Sequence, residues 1–360
     1  MKTIDGSYGE GGGQIIRTAV ALSAVLGEAV TIHNIRVNRP QPGLKSQHLM
    51  AVKTAAKMTG AQVEGLKIGS SKLTFIPQDI IGGHYDVDIG TAGSITLLLQ
   101  CLMPAAVASK ERITLDITGG TDVAWSPPVD YMSYVLLPVL MSMGLECSIK
   151  VKQRGYYPKG GGKVRAEIAP SVLVGVELGR EQGRKQEQKM WHGKQQIGRE
   201  NKFYVDNERG HITVCGISHS SNLPEHVTRR QADSALAVLE AAGYGASIGT
   251  ENSRCPSTGS GITLWSGYMG GSTLGKRGLP AEKVGQAAAV EIIAELDSGA
   301  AVDMHLADQL IPYMGLAGSG SFTVREVSEH TMTNIWVVEQ FLDVKFGVEA
   351  QEGGLFRIYL

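Results

Sequence analysis

The chain is poor in cysteine and carries almost no net charge. Its 360 residues include only Cys101, Cys147, Cys215 and Cys255, and no two of them form a C-x-x-C pair. Scattered cysteines of this kind predict reduced thiols and exclude the class of disulfide-stapled secreted domains. The formal net charge of −1 excludes a general nucleic-acid coat protein, because such proteins carry a strong positive excess. Any contact with nucleic acid must therefore be local.

Long apolar runs are also missing. The first residues, Met1-Lys2-Thr3-Ile4-Asp5, resemble a strand rather than the apolar region of a signal peptide, and no later stretch is long and apolar enough to span a bilayer. We therefore expect a soluble, cytoplasmic protein with no membrane partner. The hydrophobic share of 42% and the length allow a large core and exceed the usual size of one domain, so two domains are expected.

One order of strands and helices recurs along the chain. The first unit reads strand, helix, strand, helix, strand, strand, and the second repeats this order over 84–169. A third copy begins near 172–178, stops at a polar stretch over 179–202, and resumes with helices near 281–297 and 304–314. The sequence therefore predicts an α/β (α+β) fold in which three repeated βαβαββ units form a large domain.

A compact α/β pattern interrupts the third unit. A helix is predicted over 224–241, between strands near 211–217, 244–250 and 261–267. We therefore predict that residues 1–181 plus 273–360 form the large catalytic domain and that residues 182–272 form an inserted small α/β domain.

A Walker-like segment lies at the end of this insertion. The run from Gly270 to Lys276 has the spacing of a Walker A motif, but Arg277 stands where the Ser or Thr that holds Mg²⁺ is required. A nucleotide site is therefore not expected at this segment. We predict a flexible interdomain loop instead.

The segment 9–17, Gly-Glu-Gly-Gly-Gly-Gln-Ile-Ile-Arg, sets one carboxylate, Glu10, among four glycines directly before a helix that carries Gln14 and Arg17. Glycines let the backbone approach a ligand closely, and the first N–H groups of the helix favour phosphate. A carboxylate there requires a divalent cation or a ribose hydroxyl between it and the phosphates. The pattern indicates a nucleotide site with a metal, and a tight strand-to-helix turn is the simpler alternative.

Two segments near the C-terminus carry further candidate residues. His305, Asp308 and Gln309 share one face of a predicted helix, although an ordinary exposed face would give the same pattern. His330 lies at the start of the next predicted helix, where the helix N-terminus lowers the pKa of a histidine and keeps the imidazole neutral and nucleophilic. A histidine that only hydrogen-bonds in a turn is the alternative.

A basic cluster follows the second predicted strand. Arg36, Arg39, Lys45, Gln47 and His48 lie on either side of two prolines. This composition suits binding of a polyanion. A solvated loop would have a similar composition.

Together these segments resemble RNA 3′-terminal phosphate cyclases. The resemblance runs from Gly6 to about Leu360 and is weakest over 182–272. It is carried by the Gly-Glu-Gly-Gly-Gly-Gln-Ile-Ile-Arg run, Pro42-Gly43-Leu44, Gln47-His48-Leu49, Gly90-Thr91-Ala92-Gly93-Ser94, Gly119-Gly120-Thr121-Asp122, Tyr157-Pro158, Leu306-Ala307-Asp308-Gln309, and His330 with Thr333-Asn334.

The resemblance implies ATP-dependent adenylyl transfer. A histidine attacks the α-phosphorus of ATP, AMP passes to the RNA 3′-phosphate to give RNA(3′)pp(5′)A, and the 2′-hydroxyl displaces AMP to close a 2′,3′-cyclic phosphate. The residue that matches the nucleophile is His330. By the same resemblance, Glu10 and Asp308 hold Mg²⁺ or Mn²⁺.

The resemblance also assigns the binding residues. Where bacterial members carry a tyrosine that stacks on adenine, this chain has His305, which can also stack. The expected ATP contacts are Glu10, Gln14, Gln100, Pro127, His305, Asp308 and Gln309. The expected contacts to the phosphates of an RNA with a 3′-terminal phosphate are Arg17, Arg36, Arg39, Gln47 and His48.

Two other functions remain open at this point, and so does a homodimer. A non-catalytic branch of the same family acts in ribosome assembly, but it lacks the nucleophilic histidine. Enolpyruvyl-type transferases are built from similar repeats, but they need no equivalent of His330 and lack the inserted module. His330 together with Glu10 and Asp308 therefore favours the cyclase.

Overall fold

The computed structural model describes residues 1–179 and 213–360. In chain order its strands are β1 (Lys2–Asp5), β2 (Val30–His33), β3 (Gln62–Glu64), β4 (Leu73–Ile76), β5 (Gly83–Asp88), β6 (Ile113–Gly119), β7 (Cys147–Gln153), β8 (Gly162–Ile168), β9 (Glu177–Leu178), β10 (Thr213–Ser221), β11 (Gly245–Ser253), β12 (Gly259–Ser266), β13 (Met269–Leu274), β14 (Ser321–Val324), β15 (Gly347–Ala350) and β16 (Phe356–Tyr359).

The helices follow the apolar periodicity of the sequence. They are α1 (Gly13–Leu26), α2 (Ser46–Thr59), α3 (Ile95–Val107), α4 (Val129–Tyr131), a π-helical turn (Met132–Leu136), α5 (Leu137–Ser142), α6 (His226–Ala241), α7 (Ala281–Ser298), α8 (Met304–Ala317) and α9 (Glu329–Phe341). Glycines in the left-handed region end several of them, for example Gly27 with φ 66° after α1 and Gly60 with φ 58° after α2. Within the described ranges, no helix is long and apolar enough to cross a membrane.

Three of the four sheets that the described residues form share one topology. Their strand orders are β1-β2-β4-β3, β5-β6-β8-β7 and β9-β14-β16-β15. In each sheet the first two strands are parallel and the other neighbours are antiparallel. The predicted α/β class is confirmed, and this is the arrangement that three βαβαββ units require.

The helices of the three units pack on one another. Helix α1 contacts α2, α3 and α9, and its residues from Gln14 to Ala24 are buried except Arg17. One apolar core joins the units, with fully buried Ile15 and Leu22 of α1 beside core residues of α3 and α9. Helix α1 lies at the centre of the three units. The glycine-rich segment that precedes α1 in the chain is therefore close to the third unit.

The fourth sheet has a different strand order, β11-β10-β12-β13. Helices α6 and α7 pack on each other and on this sheet. Together they enclose a second apolar core, which includes Leu264 and Ile292 and whose last fully buried residue along the chain is Ala300. The first repeat has the helices α1 and α2, and the described part of the third repeat already has α8 and α9 in the corresponding places, so α7 is additional to the third repeat. We propose that the small domain includes α7. This proposal places the second boundary after α7 instead of at the predicted 272/273. The boundary at 181/182 stays a prediction, and the polar stretch predicted over 179–202 lies almost wholly outside the described residues.

The prediction of a flexible loop over the Walker-like segment is wrong. Residues Met269–Leu274 form strand β13, which pairs antiparallel with β12. Glycine is needed here because the backbone approaches its neighbours closely: an added Cβ would lie 2.7 Å from the Ala288 carbonyl oxygen at Gly271 and 2.7 Å from the Tyr131 ring at Gly270. Glycines that read as a loop signal in the sequence therefore serve close packing.

A buried polar cluster joins the second repeat to the fourth sheet. The Arg154 guanidinium donates to Asp130 Oδ2 at 2.8 Å, to Asp122 Oδ2 at 3.3 Å and to Glu251 on β11 at 2.9 Å. His219 on β10 lies with Nε2 3.3 Å from Asp122 Oδ1. Burial lowers the pKa of His219 to about 3, so its imidazole is neutral. We call these five residues the Arg154 cluster.

Candidate active site

The glycine-rich segment lies between α2 and α9. Gly9 and Gly11 adopt the left-handed region, with φ 52° and 59°. A Cβ added at Gly9 would lie 2.5 Å from Thr333 Oγ1 on α9, and one added at Gly13 would lie 2.0 Å from His48 Nε2 on α2. Among the described residues, no side chain caps the start of helix α1. Its first N–H groups are therefore available to an anion.

His330 lies in the first turn of α9, and its side chain is 50% exposed. Its Nδ1 is 2.5 Å from Glu10 Oε2 and 2.5 Å from Gln14 Oε1. The Gln14 amide is oriented by its Nε2, which donates to the His330 carbonyl at 2.9 Å. Because two oxygen acceptors face Nδ1, the proton of the neutral ring resides there. The lone pair is then on Nε2.

The electrostatic surroundings keep this imidazole neutral. Burial lowers the pKa of His330, and the nearby Arg17 and Arg39 lower it further against the pull of Glu10. A neutral imidazole has a lone pair for attack on phosphorus, whereas an imidazolium has none. His330 therefore has the protonation state of a nucleophile at neutral pH.

Asp308 lies on α8 within reach of the same glutamine. Gln14 Nε2 is 3.4 Å from Asp308 Oδ2, and Asn334 Nδ2 on α9 donates to the Asp308 carbonyl at 2.7 Å. Burial raises the pKa of Asp308 to about 7, although His305 and Arg17 oppose this shift. A buried carboxyl with so few donors gains most from a nearby cation.

One cavity brings five of the predicted site residues together. Its wall includes Gln14, Arg17, Gln100, Asp308 and Gln309, which come from all three repeats. Within the described part of the chain, the buried Arg17 Nε has no hydrogen-bond partner. An unsatisfied buried guanidinium nitrogen is costly, so this cavity suits an anionic or carbonyl-bearing ligand.

The predicted adenosine contacts lie along α3 and α8. Gln100 Nε2 donates to Gln309 Oε1 at 2.9 Å, and Gln309 Nε2 donates to the His305 carbonyl at 2.7 Å. The Pro127 carbonyl accepts from Thr96 Oγ1 at 2.7 Å, one helical turn before Gln100. The Glu291 carboxylate, 3.6 Å from His305 Nε2, raises the pKa of His305 to about 9. The His305 ring is therefore an imidazolium at neutral pH.

The predicted phosphate contacts behave in different ways. Arg39 pairs with Glu10 beside His330. Arg36 Nη1 instead donates to the carbonyls of Gln41 and Gly43 at 2.9 Å, and Gln47 accepts from the Ser94 N–H at 3.3 Å. His48 is only 4% exposed, and burial lowers its pKa to about 3. A buried, neutral ring does not fit the predicted contact of His48 with RNA phosphates.

Two other groups of the described residues have metal-ligand geometry, the exposed His84, Asp86 and Asp116 and the buried Asp122, Asp130 and His219. In each group, basic side chains already form salt bridges with carboxylates. Asp116 pairs with Arg165 and Lys152. Both aspartates of the buried group pair with Arg154. These cations supply the positive charge that a metal would bring, so neither group is a metal candidate.

Comparison with known proteins identifies the family. The family model described as RNA 3′-terminal phosphate cyclase matches residues 8–348. The chain belongs to this family. Three similar proteins bear the same name: that of Methanosarcina mazei is 57% identical over 358 residues, with 99% of both chains covered. That of Archaeoglobus fulgidus is 49% identical, with 96% of this chain and 98% of the relative covered. That of Pyrococcus furiosus is 46% identical, with 98% and 96% covered.

Membership of the RNA 3′-terminal phosphate cyclase family confirms the predicted resemblance and the prediction that the chain is an enzyme. The matched residues include the glycine-rich segment, α8 and the start of α9. Every residue described above around His330 therefore lies in the part of the chain that the cyclase family shares.

Two residues of this site were not found by sequence reasoning. Asp303 caps α8, where its carboxylate accepts from the backbone N–H groups of His305 and Leu306 and from Tyr131 Oη. The signal was an aspartate directly before an apolar helix pattern. Glu291, the partner of His305, lies on α7. Nothing in the local sequence distinguishes it from other surface glutamates.

Proposed function

We propose that this chain uses ATP to convert the 3′-terminal phosphate of an RNA to a 2′,3′-cyclic phosphodiester. The observation that carries this proposal is the contact of Glu10 and Gln14 with Nδ1 of His330. This contact leaves Nε2 as the nucleophile of a neutral ring. Membership of the cyclase family supports the identity of the reaction.

In the first step, Nε2 of His330 attacks the α-phosphorus of ATP. An N–P bond forms and the bond to pyrophosphate breaks. The proton stays on Nδ1, so the ring carries a positive charge in the His330–AMP adduct. The Glu10 carboxylate, 2.5 Å from Nδ1, stabilises that charge.

Two displacements complete the reaction. An oxygen of the RNA 3′-phosphate attacks the AMP phosphorus, which forms RNA(3′)pp(5′)A and returns the electron pair to His330. The 2′-hydroxyl then attacks the 3′-phosphorus, the phosphoanhydride bond to AMP breaks, and the hydroxyl proton passes to solvent as AMP leaves. We assign Arg39 to the RNA phosphate, because its guanidinium lies beside His330 and can form paired hydrogen bonds with phosphate oxygens. Arg17 lies deeper, in the cavity with Asp308.

We propose that the adenosine of ATP binds along a row of residues formed by Pro127, Gln100, Gln309 and His305. Amide groups of the two glutamines can exchange their mutual hydrogen bond for contacts with a base or a ribose. The His305 imidazolium can stack on a nucleobase with a cation–π contribution. Its partner Glu291 keeps it charged at neutral pH.

Glu10 and Asp308 fit a divalent cation. Glu10 Oε2 is buried beside His330, and burial raises the pKa of the nearby Asp308 carboxyl to about 7. Oxygen ligands of this kind are those that Mg²⁺ and Mn²⁺ take. A bound cation would act as a Lewis acid that offsets the negative charge of the phosphates.

The product of the reaction tests the proposal. With ATP, an RNA oligonucleotide that ends in a 3′-phosphate should acquire an end that resists phosphatase and becomes sensitive again after mild acid. A matched oligonucleotide whose last sugar lacks the 2′-hydroxyl should stop at the adenylylated intermediate. Cyclisation without a nucleoside triphosphate, or no change of the 3′-phosphate with ATP, would contradict the proposal.

Arg39→Ala should slow AMP transfer to RNA by about tenfold, because a bidentate charge-assisted contact contributes on the order of 1.5–3 kcal/mol. The loss should be similar for different RNA sequences, since a phosphate contact reads no bases. A single-turnover assay from adenylylated enzyme isolates this step. Lys53→Ala, which removes an exposed cation from α2, is the control. Normal transfer with slow self-adenylylation would move Arg39 to the ATP phosphates.

A further inference from the structure

Trp125 is the most exposed large apolar side chain in the described structure, at 98% of its free surface. Aromatic residues make up only 6% of the chain, and two other tryptophans, Trp265 and Trp336, each stack on a tyrosine. The backbone of Trp125 has φ 66°, in the left-handed region that bulky side chains rarely adopt. An unfavourable backbone conformation thus presents a large ring to solvent.

The loop that carries Trp125 is fixed at both ends. The Val129 N–H donates to the Thr121 carbonyl at 3.0 Å, Ser126 Oγ donates to the Val123 carbonyl at 3.0 Å, and Thr96 Oγ1 donates to the Pro127 carbonyl. The backbone position of Trp125 is therefore held by the loop. A ligand that stacks on the indole does not have to order the loop first.

A path of contacts connects this loop to the nucleophile. The Gly120 N–H donates to the Gly93 carbonyl at 2.8 Å, and the next residue, Ser94, donates its N–H to Gln47. Gln47 precedes His48, whose ring lies against the start of α1. The Gly93–Ser94 turn therefore lies between the Trp125 loop and the glycine-rich segment beside His330.

Cationic side chains lie at one end of this path, and the aromatic ring lies at the other. Arg39 lies at the His330 end, and Lys45 lies at the start of α2 near Gln47. The other end carries the exposed indole. A single strand with its terminal phosphate at His330 would have phosphates beside the cations and bases beside the ring, which is how proteins bind single-stranded nucleic acid.

We propose that Trp125 stacks on a nucleobase of the RNA strand upstream of its 3′-terminal phosphate. This inference rests on the proposed function, because it assumes RNA with its end at His330. Every base has a π face, so the contact adds affinity without sequence preference. The enzyme can thereby hold many RNA ends by a phosphate contact and one stacked base.

The experiment compares wild type, Trp125→Ala and Trp125→Tyr in single turnover from adenylylated enzyme. Trp125→Ala should raise the half-saturating RNA concentration by about tenfold, in line with base–aromatic stacking, while Trp125→Tyr retains most of the affinity. Self-adenylylation with ATP alone should be unchanged. Val172→Ala, another exposed apolar position at 83%, should bind RNA as wild type does.

An abasic scan then locates the stacked base. Removing one base at a time from the oligonucleotide should weaken binding to wild type most at one position, and at that position the loss should vanish in Trp125→Ala. Slow self-adenylylation in Trp125→Ala would instead assign the ring to the adenine of ATP and overturn the proposal. An unchanged RNA affinity would also overturn it.

Failure of the proposed function would be visible separately. It would appear as absent labelling of wild-type protein by ATP. Equilibrium binding of a 3′-phosphorylated oligonucleotide to the unmodified enzyme needs no adenylylation, and it still measures the difference between wild type and Trp125→Ala. Equal affinities in that measurement would reject the stacking contact whatever the chemistry.

Discussion

His330→Ala should lose covalent labelling by ATP that carries ³²P at the α-phosphate, with the rate reduced by more than about a thousandfold, the scale for loss of a nucleophile. The reason is that Nε2 of His330 is the lone pair that the Glu10 and Gln14 contacts leave available. The fold should be retained, since the side chain is half exposed. Labelled protein recovered after denaturation gives the measurement.

The chemistry of the label provides a second criterion. A histidine phosphoramidate is labile to acid and stable to base, whereas phosphate esters of serine or threonine behave in the opposite way. His226→Ala is a matched control, because His226 is also an exposed histidine at the start of a helix, α6. Label that survives acid, or that persists in His330→Ala, would remove His330 from the nucleophile role.

Glu10→Gln and Asp308→Asn should each slow self-adenylylation by about a hundredfold, because Lewis-acid stabilisation of a transferring phosphate is worth several kcal/mol. Both changes keep the shape of the side chain and remove its charge. The rate should also need a higher concentration of Mg²⁺ or Mn²⁺ to saturate. Titration of the rate with each metal gives both quantities.

The two variants separate the roles of the carboxylates. Glu10 also faces Nδ1 of His330, so Glu10→Gln should remain slow at saturating metal, whereas Asp308→Asn should recover more of its rate. Glu329→Gln removes an exposed acid next to His330 and should change neither quantity. Wild-type metal dependence in both site variants would mean that these residues hold no cation.

The local sequence pattern predicted where helices and strands lie better than it predicted which elements pack against each other. The apolar spacing of α1 and the glycine that follows it determine where the helix lies. The spacing of α7 likewise predicted a helix, but it does not specify that the helix packs on the fourth sheet. Strand β13 was missed because its glycines, which allow close approach to α7, are also the residues typical of loops.

The candidate site shows the same limit. Local chemistry singled out Glu10, Asp308 and His330 as candidates, namely a carboxylate among glycines, a polar helix face and a helix start. The family resemblance then supplied the roles of Asp308 and His330. Asp308 and His330 both contact Gln14, which lies about 300 positions earlier in the chain. No local pattern predicts these contacts. His48 was assigned to RNA by the family resemblance and by its place in a basic cluster. Its burial depends on Gly13, whose missing side chain makes room for the ring.

The Arg154 cluster limits how the small domain can be exchanged. Arg154, Asp122 and Asp130 belong to the second repeat, while Glu251 and His219 come from the fourth sheet. Removing the fourth sheet would expose the Arg154 guanidinium and the Asp122 and Asp130 carboxylates, which lie on either side of Trp125 in the chain, and would remove the Glu251 acceptors of the guanidinium. We therefore expect a chimera that carries the small domain of a relative to fold only when all five residues of the Arg154 cluster come from that relative.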